Sequence, residues 1–488
     1  MNDRPRPARS RRPDRPPRRP RRDPVRLLAF EALRAVDERD AYANLVLPPL
    51  LARARRSEGL DDRDAALATE LVYGTLRRQG TYDAVIGACA DRPLRGIDPP
   101  VLDVLSLGAH QLLGTRIPRH AAVSSTVELA RMVLGEGPAK FVNAVLRRIS
   151  ARDLEEWIDH LAPPADRDPE EYLALRHAHP RWVVSALWDA LEPGGRRTDR
   201  EGIEALLIAD NERPEVTLVA RPGRSEPEEL LVGGALPGRW SPHAVRLVEG
   251  GDPGALPAVR EGRAGVQDEG SQLVAAALVA APLEGPDTRW LDGCAGPGGK
   301  AALLAALAAG RGAGLLAVER RPHRARLVAG VLEGAPGVQL TVAADTTRPA
   351  WRPASFDRVL VDVPCTGLGA LRRRPEARWR RRPEDLERFA PLQRALLREA
   401  LWAVRPGGVV AYATCSPHPA ETRAVVEDVL AEAGTGPAAA PAAEWIDARP
   451  TMPGVPHLGA GPDVQLWPHL HGTDAMYLAL LRRADRAL

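Results

Sequence analysis

Two of the four cysteines stand where a thiol can react. Asp362-Val363-Pro364-Cys365-Thr366-Gly367 follows one strand-like run, and Ala413-Thr414-Cys415-Ser416-Pro417 follows another. In an open α/β sheet, ligands bind beyond the carboxyl ends of the strands, so both sulfurs fall on the reactive side. A cysteine is otherwise most often a small buried hydrophobe. That reading holds for Cys89, in helical sequence, and for the thiol of Cys294, whose backbone is expected to matter instead. Carboxylates recur at the same rim: four of five strand-like runs close on Asp292, Glu319, Asp345 and Asp362. A carboxylate inside a strand would be costly to bury, whereas one at the tip can meet a ligand's hydroxyls.

After the first of these runs comes Gly293-Cys294-Ala295-Gly296-Pro297-Gly298-Gly299-Lys300 and then the helical stretch AALLAALAAG. Glycines let backbone approach a ligand closely, and a helix N-terminus offers free N–H groups. The spacing matches neither GxGxxG nor GxxxxGK[ST]. It suits a ligand bearing a carboxylate rather than a pyrophosphate, with Glu319 placed for a ribose diol. Together these point to S-adenosylmethionine over NAD. Methylating an oxygen or an amine needs only a base and positioning. Cytosine C5 is inert until a thiolate adds at C6 and makes the ring an enamine, so a methyl-transfer site with thiols points there. Asp362 is then placed to bond the cytosine edge, and the base must be extruded from any helix. Position alone leaves open which of Cys365 and Cys415 attacks.

These motifs need a parallel sheet to hold them. Runs at 288–292, 314–319, 338–345, 356–362 and 408–414 alternate with Ala/Leu-rich helical stretches, the rhythm of a mainly parallel sheet covered on both faces. This Rossmann-like α/β domain is expected over 267–488. Residues 25–152 are expected to be all α, with six or seven helices between Pro- and Gly-bearing breaks: Val25, Leu28, Ala32 and Val36 recur at helical steps, as do Val142, Val145, Leu146 and Ile149. Between them, 153–266 reads as a small α+β connector, with helices near 181–191 and 202–209 and strands near 215–220 and 244–248.

The 488 residues carry 44% apolar side chains, enough for several cores, but only 4% aromatics. The net charge of +3 hides an asymmetry: residues 1–24 hold ten Arg and three Asp, or +7, so the other 464 carry −4. Such an Arg/Pro tail cannot bury apolar surface and is expected to be disordered. It either attracts nucleic acid without regard to sequence or merely solubilises. Four cysteines make no disulfide scaffold, no CxxC or His/Cys cluster suggests a metal, and no run of about 18 apolar residues suggests a membrane span. A cytoplasmic protein is expected.

At Cys294–Lys300 (CAGPGGK), Asp362–Gly369 (DVPCTGLG) and Thr414-Cys415-Ser416 the sequence resembles the NOL/NOP/Sun RNA cytosine-5 methyltransferases, nearest their Sun or RsmB-like 16S ribosomal RNA branch. Residues 25–149 resemble the NusB-like domain of that branch, and 265–271 (GVQDEGS) the segment leading into the catalytic domain. The resemblance implies that Cys415 is the nucleophile and that Cys365 assists release. It implies S-adenosylmethionine as cofactor, held by Cys294, Ala295, Gly296, Pro297, Gly298, Gly299, Lys300, Glu319, Asp345 and Asp362. The partner it implies is RNA, as 16S ribosomal RNA or the assembling small subunit. Departures are Val363 and Thr366 where the family has Ala and Ser, Gly296 for Ala, Glu319 where Asp is frequent, and Asp474-Ala475-Met476-Tyr477 for Asp-Gly-Phe-Phe. None removes a group the chemistry needs.

Leu371–Arg382 (LRRRPEARWRRR) packs seven Arg and a Trp beside the Cys365 motif. Arg372, Arg373, Arg374, Arg378, Trp379 and Arg380 are expected to grip the RNA by phosphate pairing and base stacking. Arg77, Arg78, Arg147 and Arg148 offer a second grip. Two rivals remain: the same chemistry on transfer RNA, and a non-catalytic RNA-binding or antitermination factor, which the intact cysteines, Asp362 and glycine loop disfavour.

Overall fold

In the computed structural model the described residues are 23–192, 197–248, 251–433 and 439–485. The tail expected over 1–24 lies outside them except for its last two residues. The chain divides into two compact units: one holds the chain through Thr75 with Tyr82–Leu161, the other Leu76–Thr81 and the chain from Ala162. The connector expected over 153–266 is divided: its part through Leu161 groups with the smaller unit and the rest with the larger.

The smaller unit is built from helices at Pro24–Arg39, Ala43–Glu58, Asp62–Arg77, Gln79–Cys89, Pro99–Leu113, Arg119–Leu134, Glu136–Ile149 and Leu154–Leu161, with residues 76–81 of the third and fourth grouping with the other unit. Asp23 starts the first: its Oδ1 accepts from Arg26 N at 3.1 Å, and Pro24 fills the first turn, where a missing N–H costs nothing. Val25, Leu28, Ala32 and Val36 are buried along one face, as are Val142, Val145, Leu146 and Ile149 along another. Pro99–Leu113 is buried continuously from Val104 to Leu112. A Cβ on its Gly108 would stand 2.7 Å from Leu146 Cδ2, so only glycine admits this approach.

The larger unit opens with helices at Pro169–His177, Arg181–Leu191 and Arg200–Ala209, the first of which the sequence reading missed. An antiparallel sheet follows, from β1 (Val216–Ala220), β2 (Leu236–Pro237), β3 (Ala244–Leu247) and β4 (Ala264–Val266), in the order β2-β3-β1-β4. β1 and β3 are the expected strands; β2 and β4 are too short to leave a period in the sequence.

The second sheet comprises β5 (Arg289–Asp292), β6 (Gly314–Glu319), β7 (Val338–Ala343), β8 (Phe356–Asp362), β9 (Val404–Thr414), β10 (Ala443–Ile446), β11 (Val464–Gln465) and β12 (Tyr477–Arg483). Its order is β10-β12-β9-β8-β5-β6-β7, with β11 on β12. β5 to β9 pair in parallel, while β12 runs antiparallel to β9, β10 and β11. The chain winds outward from β5 in both directions, to β6 and β7 on one side and β8 and β9 on the other. Such a reversal opens a crevice beyond the carboxyl ends of β5 and β8.

Helices cover both faces. Leu273, Leu278, Leu303 and Leu304 lie in one core, and Leu396, Leu397, Leu401 and Val425 in the other. Fully buried Asp357 on β8 accepts from Thr288 N and Arg289 N at 2.8 Å each and from Arg405 Nε at 2.6 Å, which sets the start of β5 against β8. No helix among the described residues is long and apolar enough to cross a membrane.

Candidate active site

The glycine loop leaves β5 and is pinned from both sides. Gly293 N donates to Leu360 O on β8 and Ala295 N to Val318 O on β6, each at 2.8 Å. Thr346, a buried residue the sequence reading passed over, donates to Gly293 O at 2.5 Å. Gly298 caps the helix Gly299–Ala309 at φ +116°, and a Cβ there would lie 3.1 Å from Val331 Cβ, so conformation and crowding both require glycine. The loop thus presents backbone from Cys294 through Pro297 toward the crevice. The Cys294 thiol, pushed well above its ordinary value by burial and by Asp292, is unsuited to chemistry.

Carboxylates surround this loop. Asp292 is 1% exposed; its Oδ1 accepts from Cys294 N at 3.2 Å, and its buried Oδ2 has no partner among the described residues. Burial pushes its carboxyl up to about 7. A buried oxygen without a donor is expensive, so it marks a place where a ligand donor belongs. Glu319 accepts from Arg321 N at 2.9 Å through Oε1, and its Oε2 faces Arg324 at 3.6 Å. Arg324 in turn donates to Gly296 O at 2.8 Å, linking this carboxylate to the loop. Asp345 accepts from Thr347 N and Oγ1 at 3.0 and 2.7 Å and pairs with Arg320 at 3.3 Å, which joins it to the β6 tip.

Lys300, in the first turn of the helix, reaches across to Asp362: Nζ donates to Oδ2 at 2.8 Å and to Ser271 Oγ at 3.2 Å. Burial opposes its charge, but Asp362 outweighs this and raises it. The two loops past β8 and β9 bring Cys365 and Cys415 together, Sγ to Sγ at 3.5 Å. The hydrogen bond with Cys365 holds the Cys415 thiol below its ordinary value against burial and the carboxylate of Asp362, with Lys300 assisting. The same bond, with burial and the charge of Glu421, pushes Cys365 well up. The pair is therefore polarised: Cys415 is the readier thiolate and Cys365 the proton holder.

Two supports of the thiol pair were given no such role by the sequence. Buried Glu421 accepts from Thr366 N at 2.8 Å, beside Cys365. On the other side, Asp474 N donates to Asp268 at 3.1 Å and Arg373 pairs with Asp474. Gly369 N donates to Cys415 O and Ala475 N to Gly369 O, both at 2.8 Å. Nothing but the fold brings 268, 369, 415 and 474 together. Asp268 and Asp474 fall in the segments 265–271 and 474–477 already compared with the family, whereas Glu421 carried no signal.

The arginine run needs correcting. Arg378 is fully buried and donates to Ala178 O at 3.1 Å, Asn211 Oδ1 at 2.8 Å and Asp210 O at 3.2 Å. Arg372 is buried on Gly472 O at 3.0 Å, half-buried Arg373 is held by Asp474, and Arg374 and Arg380 have partners within the protein. Trp379 packs over Gly80, where a Cβ would fall 2.2 Å from its ring. Arg372 and Arg378, expected to grip RNA, are instead buried and paired inward, as a charge near the core must be. Of the second set, Arg77 is buried and Arg78 donates to Arg176 O at 2.8 Å, while Arg147 and Arg148 are exposed, Arg148 pairing with exposed Asp91 at 2.8 Å. Among the described residues no group of three or more His, Cys, Asp or Glu could hold a metal.

Known proteins match along nearly the whole chain. A family model described as 16S rRNA methyltransferase RsmB/F matches residues 278–482, and one described as the NusB family matches 23–151. A chain of Mycobacterium tuberculosis described as a methyltransferase is 55% identical over 464 residues, 94% of this chain and 97% of its own length. Ribosomal RNA small subunit methyltransferase B of Pseudomonas putida is 35% identical over 418 residues, 83% of this chain and 88% of that protein. The crystal structure of PH0851 superposes with a TM-score of 0.75 at 20% identity, covering 95% of this chain and 99% of that one, a likeness of fold.

Proposed function

The chain belongs to the RsmB/F family of methyltransferases, with a NusB-family domain ahead of the catalytic one, and from this premise we propose that it methylates carbon 5 of a cytosine in small-subunit ribosomal RNA. The methyl donor in this reading is S-adenosylmethionine, which when bound supplies a methyl group on a cationic sulfonium. The loop backbone from Cys294 to Lys300, the free oxygen of Asp292, and the carboxylates of Glu319 and Asp345 would hold it; these acceptors suit an ammonium and a ribose diol.

The remaining steps belong to the chain's own residues. Cys415, the polarised sulfur, bonds to C6 of the extruded base and pushes electron density onto C5. Asp362, anchored by Lys300, stands beside it to bond the ring edge where charge develops. After methyl transfer the C5 proton passes to water, its electron pair restores the C5–C6 double bond, and the C6–sulfur pair returns to Cys415. Cys365 donates its S–H to the departing sulfur and so stabilises the thiolate as it leaves.

The observation that carries this reading is the pair of sulfurs 3.5 Å apart at the tips of β8 and β9, with Lys300 and Asp362 alongside. It is tested by radiolabelled methyl transfer to small-subunit RNA and to transfer RNA, with bisulfite sequencing of the product. Expected are 5-methylcytosine in the ribosomal RNA, no product from Cys415→Ala, and a covalent protein–RNA adduct from Cys365→Ala. Normal turnover by both variants, or methylation at another atom, overturns it.

A further inference from the structure

We propose that Glu421 is a positioning residue that keeps the Cys365 sulfur on Cys415, and that release of the covalent adduct depends on it. The proposal rests on the covalent reading above. Glu421 is fully buried and lies six residues past Cys415, in the short turn Pro419–Glu421. Its Oε1 accepts from Thr366 N at 2.8 Å and from Gln393 Nε2 at 3.1 Å, and its Oε2 accepts from the Thr366 hydroxyl. Thr366 Oγ1 also meets Ser416 Oγ at 3.2 Å, and Gln393 Nε2 donates to Pro364 O at 3.0 Å. One carboxylate therefore ties the residues on both sides of Cys365 to the residue after Cys415. Its own backbone is fixed to β9 by Tyr412 OH, which donates to Glu421 O at 2.7 Å.

Both carboxylate oxygens are spent on donors within the protein, so Glu421 acts through the Cys365 loop and not on substrate. A buried carboxylate is costly to place and tolerable only when donors surround it. Here the donors are the backbone and hydroxyl of Thr366, next to Cys365, and the amide of Gln393, which also holds Pro364. Attack on C6 is made by Cys415, whose thiolate Lys300 also favours when the bond to Cys365 is loosened. Release needs the Cys365 S–H at the departing sulfur, which returns to thiolate as the C5 proton goes to water. Loosening the loop around Cys365 therefore slows release more than attack.

Full-length protein is tested with S-adenosylmethionine and a small-subunit RNA transcript, reading covalent protein–RNA adduct on denaturing gels beside methyl transfer. Glu421→Ala strips three donors of their acceptor and is expected to raise steady-state adduct about tenfold, as a lost hydrogen bond of ~1–1.5 kcal/mol at the release step implies. It thus resembles Cys365→Ala. Glu421→Gln keeps the acceptor for Thr366 N and offers an amide to the Thr366 hydroxyl, so adduct is expected to return toward wild type. A merely structural role would lower attack, release and melting temperature together and would leave the adduct fraction unchanged. Adduct from Cys365→Ala with none above wild type from Glu421→Ala overturns the proposal. No adduct from Cys365→Ala overturns the release role itself, and this inference with it. If Glu421→Ala does not fold, Thr366→Val, which deletes only the hydroxyl link, carries the same expectation at about threefold, within the range of one weak hydrogen bond; wild-type adduct levels in that variant then overturn the proposal.

Discussion

Asp292→Asn tests whether the β5 tip is a ligand site built at the expense of stability. Burial pushes Asp292 from an ordinary 3.8 to about 7, with Asp362 and Glu319 adding to the rise and Lys300 opposing it. Because the folded state holds this proton more tightly than the unfolded chain, stability falls as pH rises from 3.8 to 7 and is flat above. Three units at about 1.36 kcal/mol each make the full loss roughly 4 kcal/mol, and the part between pH 5 and pH 8 about 3 kcal/mol. Asparagine carries no such proton, so chemical denaturation is expected to show Asp292→Asn gaining about 3 kcal/mol on wild type from pH 5 to pH 8. A bound donor at Oδ2 favours the anion. Wild-type affinity for S-adenosylmethionine, read by calorimetry, is therefore expected to be about tenfold weaker at pH 6 than at pH 8, a dependence the variant lacks. Parallel stability profiles for the two proteins, or an affinity indifferent to pH, refute the reasoning.

Gly296→Ala would put a Cβ 2.0 Å from Glu319 Oε2, so cofactor affinity is expected to fall by ten- to a hundredfold while melting temperature holds, the size of a lost charged hydrogen bond at about 1.5–3 kcal/mol. Lys300→Met removes the cation that offsets Asp362 beside Cys415, so the thiol is expected to rise, and alkylation of Cys415 by iodoacetamide at pH 7 to slow, with its pH midpoint displaced upward. Arg378→Ala leaves the buried carbonyls of Ala178 and Asp210 and the Asn211 side chain without their donor. It is expected to cost about 3 kcal/mol in denaturation, while the salt dependence of RNA binding stays that of wild type.

The alternation of apolar runs with acids at their ends was enough to read a parallel sheet, because each strand buried on both faces must be continuously apolar and each polar tip marks where burial ends. The places of the glycine loop, Glu319, Asp345, Asp362, Cys365 and Cys415 at or just past strand ends were legible for the same reason: polar residues gather where burial ends. The helical steps at Val25–Val36 and Val142–Ile149 likewise survive folding unchanged, since a helix face is a property of spacing. β10, β11 and β12 were not legible, because antiparallel strands added at an edge take their register from β9 and not from their own pattern.

What only tertiary structure decided concerns charge. Seven arginines in twelve residues look like a surface grip until Arg378 is found between Ala178, Asp210 and Asn211, residues distant in the chain. The pairing of Asp474 with Asp268, and the hold of Glu421 on the Cys365 loop, have no counterpart in any local pattern. A buried charge is tolerable only beside its partner, and which partner it meets is set by how the strands are wound, so sequence could place the motifs on the sheet while the fold alone chose what surrounds them.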